Sequence, residues 1–171
     1  MRKLWILCLV WVLLFCGCTK EEIDSRSLMQ QIILEYSTLP FGEIVYHSEA
    51  MPGEKAYMTP RLQSLLYDNG RERSIHEWEG VVNYAVNLAD GQYGMEIHIF
   101  CMKSVAEARN MEKLLQRRLE LLQRRSLYLY APDAYDIYFS SAKVCQEKNY
   151  VFLLATGENE RIGNLLASWI D

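Results

Sequence analysis

The sequence predicts an α+β fold. It reads as a two-layer domain with a four-stranded, mainly antiparallel sheet and helices packed on one face, in the order two N-terminal helices, then ββα, then ββα. Three observations predict it. The hydrophobic period switches from steps of three and four to steps of two at Val81, and back again after Cys101. Short turns at residues 89–94 and 146–149 each join two apolar runs, which makes antiparallel hairpins. Each helix that follows a hairpin has one apolar stripe to bury.

The elements follow in order. Ser25 and Ser27 can cap a first helix carrying Leu28, Met29, Ile32, Ile33 and Tyr36, which ends before Pro40. Residues 41–53 have no sustained period and read as a loop with room for one short strand. Thr59 as N-cap and Pro60 as first helical residue open a second helix, faced by Leu62, Leu65 and Leu66 and stopped by Asp68-Asn69-Gly70. A strand runs from Val81 to about Leu88. In the next, Met95, Ile97, Ile99 and Cys101 share one face, with Glu96, His98 and Phe100 on the other. Ser104 caps the longest helix, whose stripe is Ala108, Met111, Leu115, Leu119 and Leu122, with Glu and Arg on the far side. A third strand is expected over residues 137–147 and a fourth over Tyr150–Ala155. The last helix buries Ile162, Leu165, Leu166 and Trp169.

The chain of 171 residues is half hydrophobic and 23% charged, which suits one globular domain. Its formal charge of -4 and the lack of a long basic block argue against a nucleic-acid partner.

Before the domain comes a leader. Arg2 and Lys3 precede an apolar run over residues 4–15, followed by Cys16, Gly17 and Cys18. Early cations stay cytoplasmic while the apolar segment enters the translocon. The run is too short to span a bilayer, which takes about 20 apolar residues, and Thr19-Lys20-Glu21-Glu22 turns polar at once. The segment Leu13-Leu14-Phe15-Cys16-Gly17-Cys18 resembles the lipobox of bacterial lipoproteins. Gly17 supplies the small residue before the modified Cys, while Phe15 stands where Leu is typical and Cys16 where Ala or Ser is common. This divides the chain into a signal peptide at 1–17, a lipidated Cys18 with a short tether at 18–25, and a single domain at 26–171. The alternative is an uncleaved signal anchor or a plainly secreted protein.

Cys8 and Cys16 leave with the leader, and the body keeps Cys101 and Cys145. An oxidising compartment would permit one disulfide between them. Both sit in apolar strand-like segments, where a free Cys more often serves as a small buried hydrophobe.

No G-x-S-x-G, P-loop, H-E-x-x-H or C-x-x-C motif occurs, so no residue is put forward as catalytic and no cofactor is expected. The best metal candidates are Glu96 and His98, two apart on a strand and so on one face, with His76 and Glu77 from a nearby segment. Lacking a third ligand, an ordinary polar pair is the stronger reading. Arg117, Arg118, Arg124 and Arg125 form two pairs seven residues apart, a stripe that could meet anionic headgroups or wall polymers. A solvated face balanced by Glu112 and Glu120 is the preferred reading. Tyr128, Tyr130, Tyr135, Tyr138 and Phe139 cluster around Pro132. They could contact glycan or protein, but read first as lids over a small core.

Together the lipobox, a first helix ending near Leu39-Pro40, the Glu96-Ile97-His98-Ile99-Phe100 strand and the Lys148-Asn149-Tyr150-Val151-Phe152-Leu153-Leu154 strand resemble bacterial lipoproteins classed as domain of unknown function 4358. His98 replaces a small residue of that family's pattern, and Lys148 replaces a Gly. The resemblance covers nearly all of the mature chain. It implies a lipoprotein of Gram-positive, clostridia-like bacteria, outside the cytoplasmic membrane, and implies no activity. The expectation is a lipid-anchored binding or assembly module at the cell envelope, partnered by the membrane and an envelope protein or anionic polymer. The alternative is an envelope-acting hydrolase or metal-dependent enzyme.

Overall fold

The computed structural model describes residues 23–71, 75–90, 93–129 and 133–170. The expected leader and Cys18 lie outside them, as does Tyr130; so do the side chains of Arg125 and Tyr128. Among the described residues no helix is long and apolar enough to cross a membrane.

Helix α1 spans Ser25–Glu35 and is capped by Asp24, whose carboxylate accepts from the Ser27 N–H at 3.0 Å. Strand β1, Val45–His47, comes out of the loop that follows. Helix α2, Pro60–Tyr67, opens as the sequence indicates, with the Thr59 hydroxyl accepting from the Leu62 N–H at 3.2 Å. Asn69 and Gly70 then end it at positive φ, 54° and 77°. A 3-10 turn at His76–Gly80 leads into β2, Val81–Leu88, and β3, Glu96–Met102. Helix α3, Val105–Leu129, is capped reciprocally: Ser104 Oγ accepts from the Glu107 N–H and donates to its carboxylate. A short π-helical turn at Tyr135–Phe139 precedes β4, Lys143–Glu147, then β5, Tyr150–Ala155, and α4, Asn159–Ile170.

Among the described residues the sheet has five strands in the order β1-β2-β3-β5-β4, with every neighbouring pair antiparallel. The α+β class and antiparallel sheet are as expected, and three details differ. The fifth strand is β1, three residues long and too short to carry a period. The expected strand over 137–147 is reduced to its second half, because Tyr135–Phe139 winds into a helical turn that buries Tyr138 and Phe139. Helices cover both faces, giving three layers rather than two.

This layering follows from strands buried on both sides. Every residue of β3 and β5 is buried. On one face Phe100, Met102, Val151 and Leu153 meet the α3 stripe Ala108, Met111, Leu115, Leu119 and Leu122, together with Leu66 and Tyr67 of α2. On the other, Ile97, Ile99, Phe152 and Leu154 meet Leu28, Met29 and Ile32 of α1 and Ile162, Leu166 and Ile170 of α4. Met95 precedes β3 and joins the α3 side, not the face of Ile97.

Asn87 ties β1 to the sheet. Fully buried, it accepts from the Gly42 N–H at 3.0 Å and donates to the carbonyls of Gly42 and Ile44 at 2.9 and 3.1 Å. Gly42 is required there, since a Cβ would lie 1.9 Å from the Leu88 carbonyl oxygen. Gly42→Ala is therefore expected to lower unfolding free energy by about 1–3 kcal/mol in urea titration; an unchanged midpoint would contradict this close approach.

Cys101 and Cys145 are not bonded to each other. They lie on β3 and β4, which are separated by β5, and two strand spacings of about 4.8 Å exceed the reach of a disulfide. Cys101 is the buried hydrophobe expected of it, and Cys145 is partly exposed.

Candidate functional site

Glu96 and His98 do share a face of β3, and that face turns inward against α2 and α3. The Glu96 carboxylate sits 2.9 Å from His98 Nε2. Arg118 of α3 grips it from the other side, with Nε 3.1 Å from Oε2 and Nη2 bonded to Oε1. His98 Nδ1 lies 2.7 Å from the hydroxyl of Tyr67, the last residue of α2. The four residues form one chain of contacts, and none is more than 7% exposed.

The proton positions follow from charge. Burial works against ionising Glu96, but the Arg118 guanidinium and the His98 hydrogen bond outweigh it and hold the carboxyl at about 2. An ionised Glu96 only accepts, so His98 Nε2 carries the hydrogen and Nδ1 is left to accept from Tyr67. Burial lowers the His98 pKa despite Glu96, and raises that of Tyr67 well above its usual 10. The set is thus neutral Tyr67, neutral His98, anionic Glu96 and cationic Arg118. Each carboxylate oxygen and each ring nitrogen has a partner.

The other proposed metal ligands do not join. His76 is largely exposed beside Glu79 at 3.2 Å, and Glu77 pairs with Arg117 at 3.0 Å. Among the described residues no three His, Cys, Asp or Glu side chains are grouped to hold a metal ion. The arginine stripe is also divided: Arg118 is inside, Arg117 is bridged to Glu77 rather than to Glu112 or Glu120, and Arg124 is exposed. Of the aromatic cluster, Tyr138 and Phe139 are core, and Tyr135 packs against it.

The chain matches no protein-family model, no curated protein and no solved structure.

Above the buried set lies an open groove between the 3-10 turn and α3. It consists of two adjoining depressions of about 490 and 390 Å³ that share His76, Glu77 and Arg117. Glu79, Glu107 and Lys113 add further charge to the second. Tyr67 belongs to both systems, lining the first depression while its hydroxyl bonds His98. Trp78 packs against the same core, with ring centroids 5.8 Å from Tyr67, 5.1 Å from Tyr84 and 5.4 Å from Phe100.

Of the two helical members of this arrangement, Arg118 carries a sequence signal and Tyr67 does not. Arg118 is seven residues after Met111 and four before Leu122, which places a cation inside the apolar stripe. Tyr67 ends a helix between two Leu residues and the Asp68-Asn69-Gly70 stop, and only its spatial position reveals its role.

Proposed function

We propose that the protein is a membrane-anchored module that binds or assembles with partners at the cell envelope, rather than an enzyme built on Glu96 and His98. The observation that carries this reading is how the polar groups are divided. Glu96 and His98 are spent on each other, Arg118 and Tyr67, beneath the surface, whereas the groove offers exposed charges of both signs from Glu79, Lys113 and Arg117. A mixed-charge groove suits recognition of a polar partner, since such contacts give orientation and specificity. The anchor is supported by the leader and by Cys18 after Gly17. Attachment through lipid would hold the domain near other envelope components and raise their effective concentration.

One experiment in bacterial cells tests both parts. Fed a clickable fatty acid, cells should label the wild-type chain and not Cys18→Ala. A photo-crosslinking residue at Lys113 should capture a discrete species, and Arg117→Glu should reduce that capture. Label that survives Cys18→Ala overturns the anchor, and capture indifferent to Arg117→Glu overturns the groove.

A further inference from the structure

The two edges of the sheet are finished differently. At β1 the outer side is taken: the His47 N–H donates to the Ala56 carbonyl of the following loop at 3.3 Å. Strand β4 is the last in the order at the other edge, and no described residue hydrogen-bonds its outer backbone groups. All five of its residues are partly exposed. An edge left open in this way is a template for another strand.

We propose that the occupant is a second copy of this chain, with two β4 strands pairing antiparallel about a two-fold axis at Cys145. The β4-β5 loop has two residues, Lys148 and Asn149, with Lys148 at φ 52°. A loop of that length makes Glu147 and Tyr150 a hydrogen-bonded pair. By alternation Cys145 and Lys143 also bond inward, towards Phe152 and Leu154. Val144 and Gln146 therefore present their N–H and C=O groups outward. Antiparallel pairing centred on Cys145 sets Val144 opposite Gln146 of the second copy, and Gln146 opposite Val144. The outward groups of both strands then meet as two hydrogen-bonded pairs.

The side chains agree with that register. Lys143 falls opposite Glu147 of the other copy at both ends, giving two symmetry-related opposite-charge pairs. A lysine on an edge ordinarily deters pairing; here Glu147 at the far end makes the strand complementary to itself. The two Cys145 residues face each other as a non-hydrogen-bonded pair, whose Cα atoms are about 4.5 Å apart in such a ladder. That spacing lies within disulfide reach. The interface is of the two-fold, self-matching kind, and involves none of the groove residues.

The test uses the full chain, with Cys8, Cys16 and Cys18 replaced by Ser so that they cannot cross-link, in detergent micelles, followed by sedimentation velocity. Wild type should dimerise with rising concentration. Lys143→Glu should weaken dimerisation about tenfold, and Lys143→Glu with Glu147→Lys should restore it to within about threefold. Both changed residues lie on the edge, and an unchanged melting temperature separates lost pairing from lost folding. Copper-phenanthroline oxidation should convert two Cys145 thiols to one disulfide, releasing two protons and passing two electrons to Cu(II), and give a reducible dimer absent from Cys145→Ser. A monomer at every concentration, a double variant as weak as the single one, or a cross-link that persists in Cys145→Ser overturns the proposal.

Discussion

Arg118→Met is expected to destabilise the protein by about 3–5 kcal/mol, because it strands the Glu96 carboxylate beneath α3 without its counter-charge. The loss exceeds anything a surface pair would give. Arg117 of α3 and Glu77 of the 3-10 turn pair at the surface, and such a pair is worth about 0–1 kcal/mol. The large value is a cost of breaking, not a measure of what the ion pair adds. Replacing the whole set together, with Arg118→Met, Glu96→Leu, His98→Leu and Tyr67→Phe, should return stability to within about 2 kcal/mol of wild type, since a well-packed apolar replacement is often neutral or better. Urea unfolding of the single and fourfold variants measures both. A single variant that loses less than about 1 kcal/mol would mean that Glu96 finds water or another partner.

The second large effect is on pH. His98 is neutral in the folded chain, with burial lowering its pKa below the usual 6.5. A group depressed on folding contributes fully above its unfolded pKa and loses that contribution as pH falls towards its folded one. Stability should therefore be level above about pH 6.5 and decline below it, as the unfolded chain takes up a proton that the folded chain refuses. His47 is lowered in the same direction, by burial first and by Arg26 second, and adds to the slope. Glu96 acts lower still: held at about 2, it keeps its contribution above 4.5 and loses it between 4.5 and about 2. Melting temperature recorded from pH 8 to pH 2 checks the order. His98→Asn should flatten the limb just below pH 6.5 and leave the acid limb of Glu96. If stability instead rises as pH falls through 6.5, His98 gains its proton on folding and the assignment is reversed.

How much of this was readable beforehand depended on whether the signal was local. The caps at Thr59 and Ser104, the α3 stripe and the β2-β3 hairpin are set by spacings within one element, and each formed as read. The five-stranded sheet was not readable because β1 has three residues, held by Asn87 from 40 residues away or more in the chain. The third layer did leave a sign: Tyr150–Ala155 is apolar at every position, as a strand covered on both faces must be. Glu96 and His98 obscured the same sign in β3, since an alternation of polar and apolar residues looks like one wet face. At the candidate site, the same-face geometry of Glu96 and His98 was legible from their spacing. Their partners were not, because Tyr67 and Arg118 come from separate helices 31 and 22 residues distant.

Glu96 and His98 form a buried, paired set and not an open reactive centre. Nitrogen and carbon NMR of the His98 imidazole tests it most directly, on the wild-type chain across pH and with added Zn²⁺. The expected result is a neutral ring with the hydrogen on Nε2, unchanged at pH 6.5, where an unperturbed imidazole is half protonated, and unmoved by zinc. A His98 ring that titrates near 6.5, or whose signals shift when zinc is added, would contradict it and return the pair to the list of reactive groups.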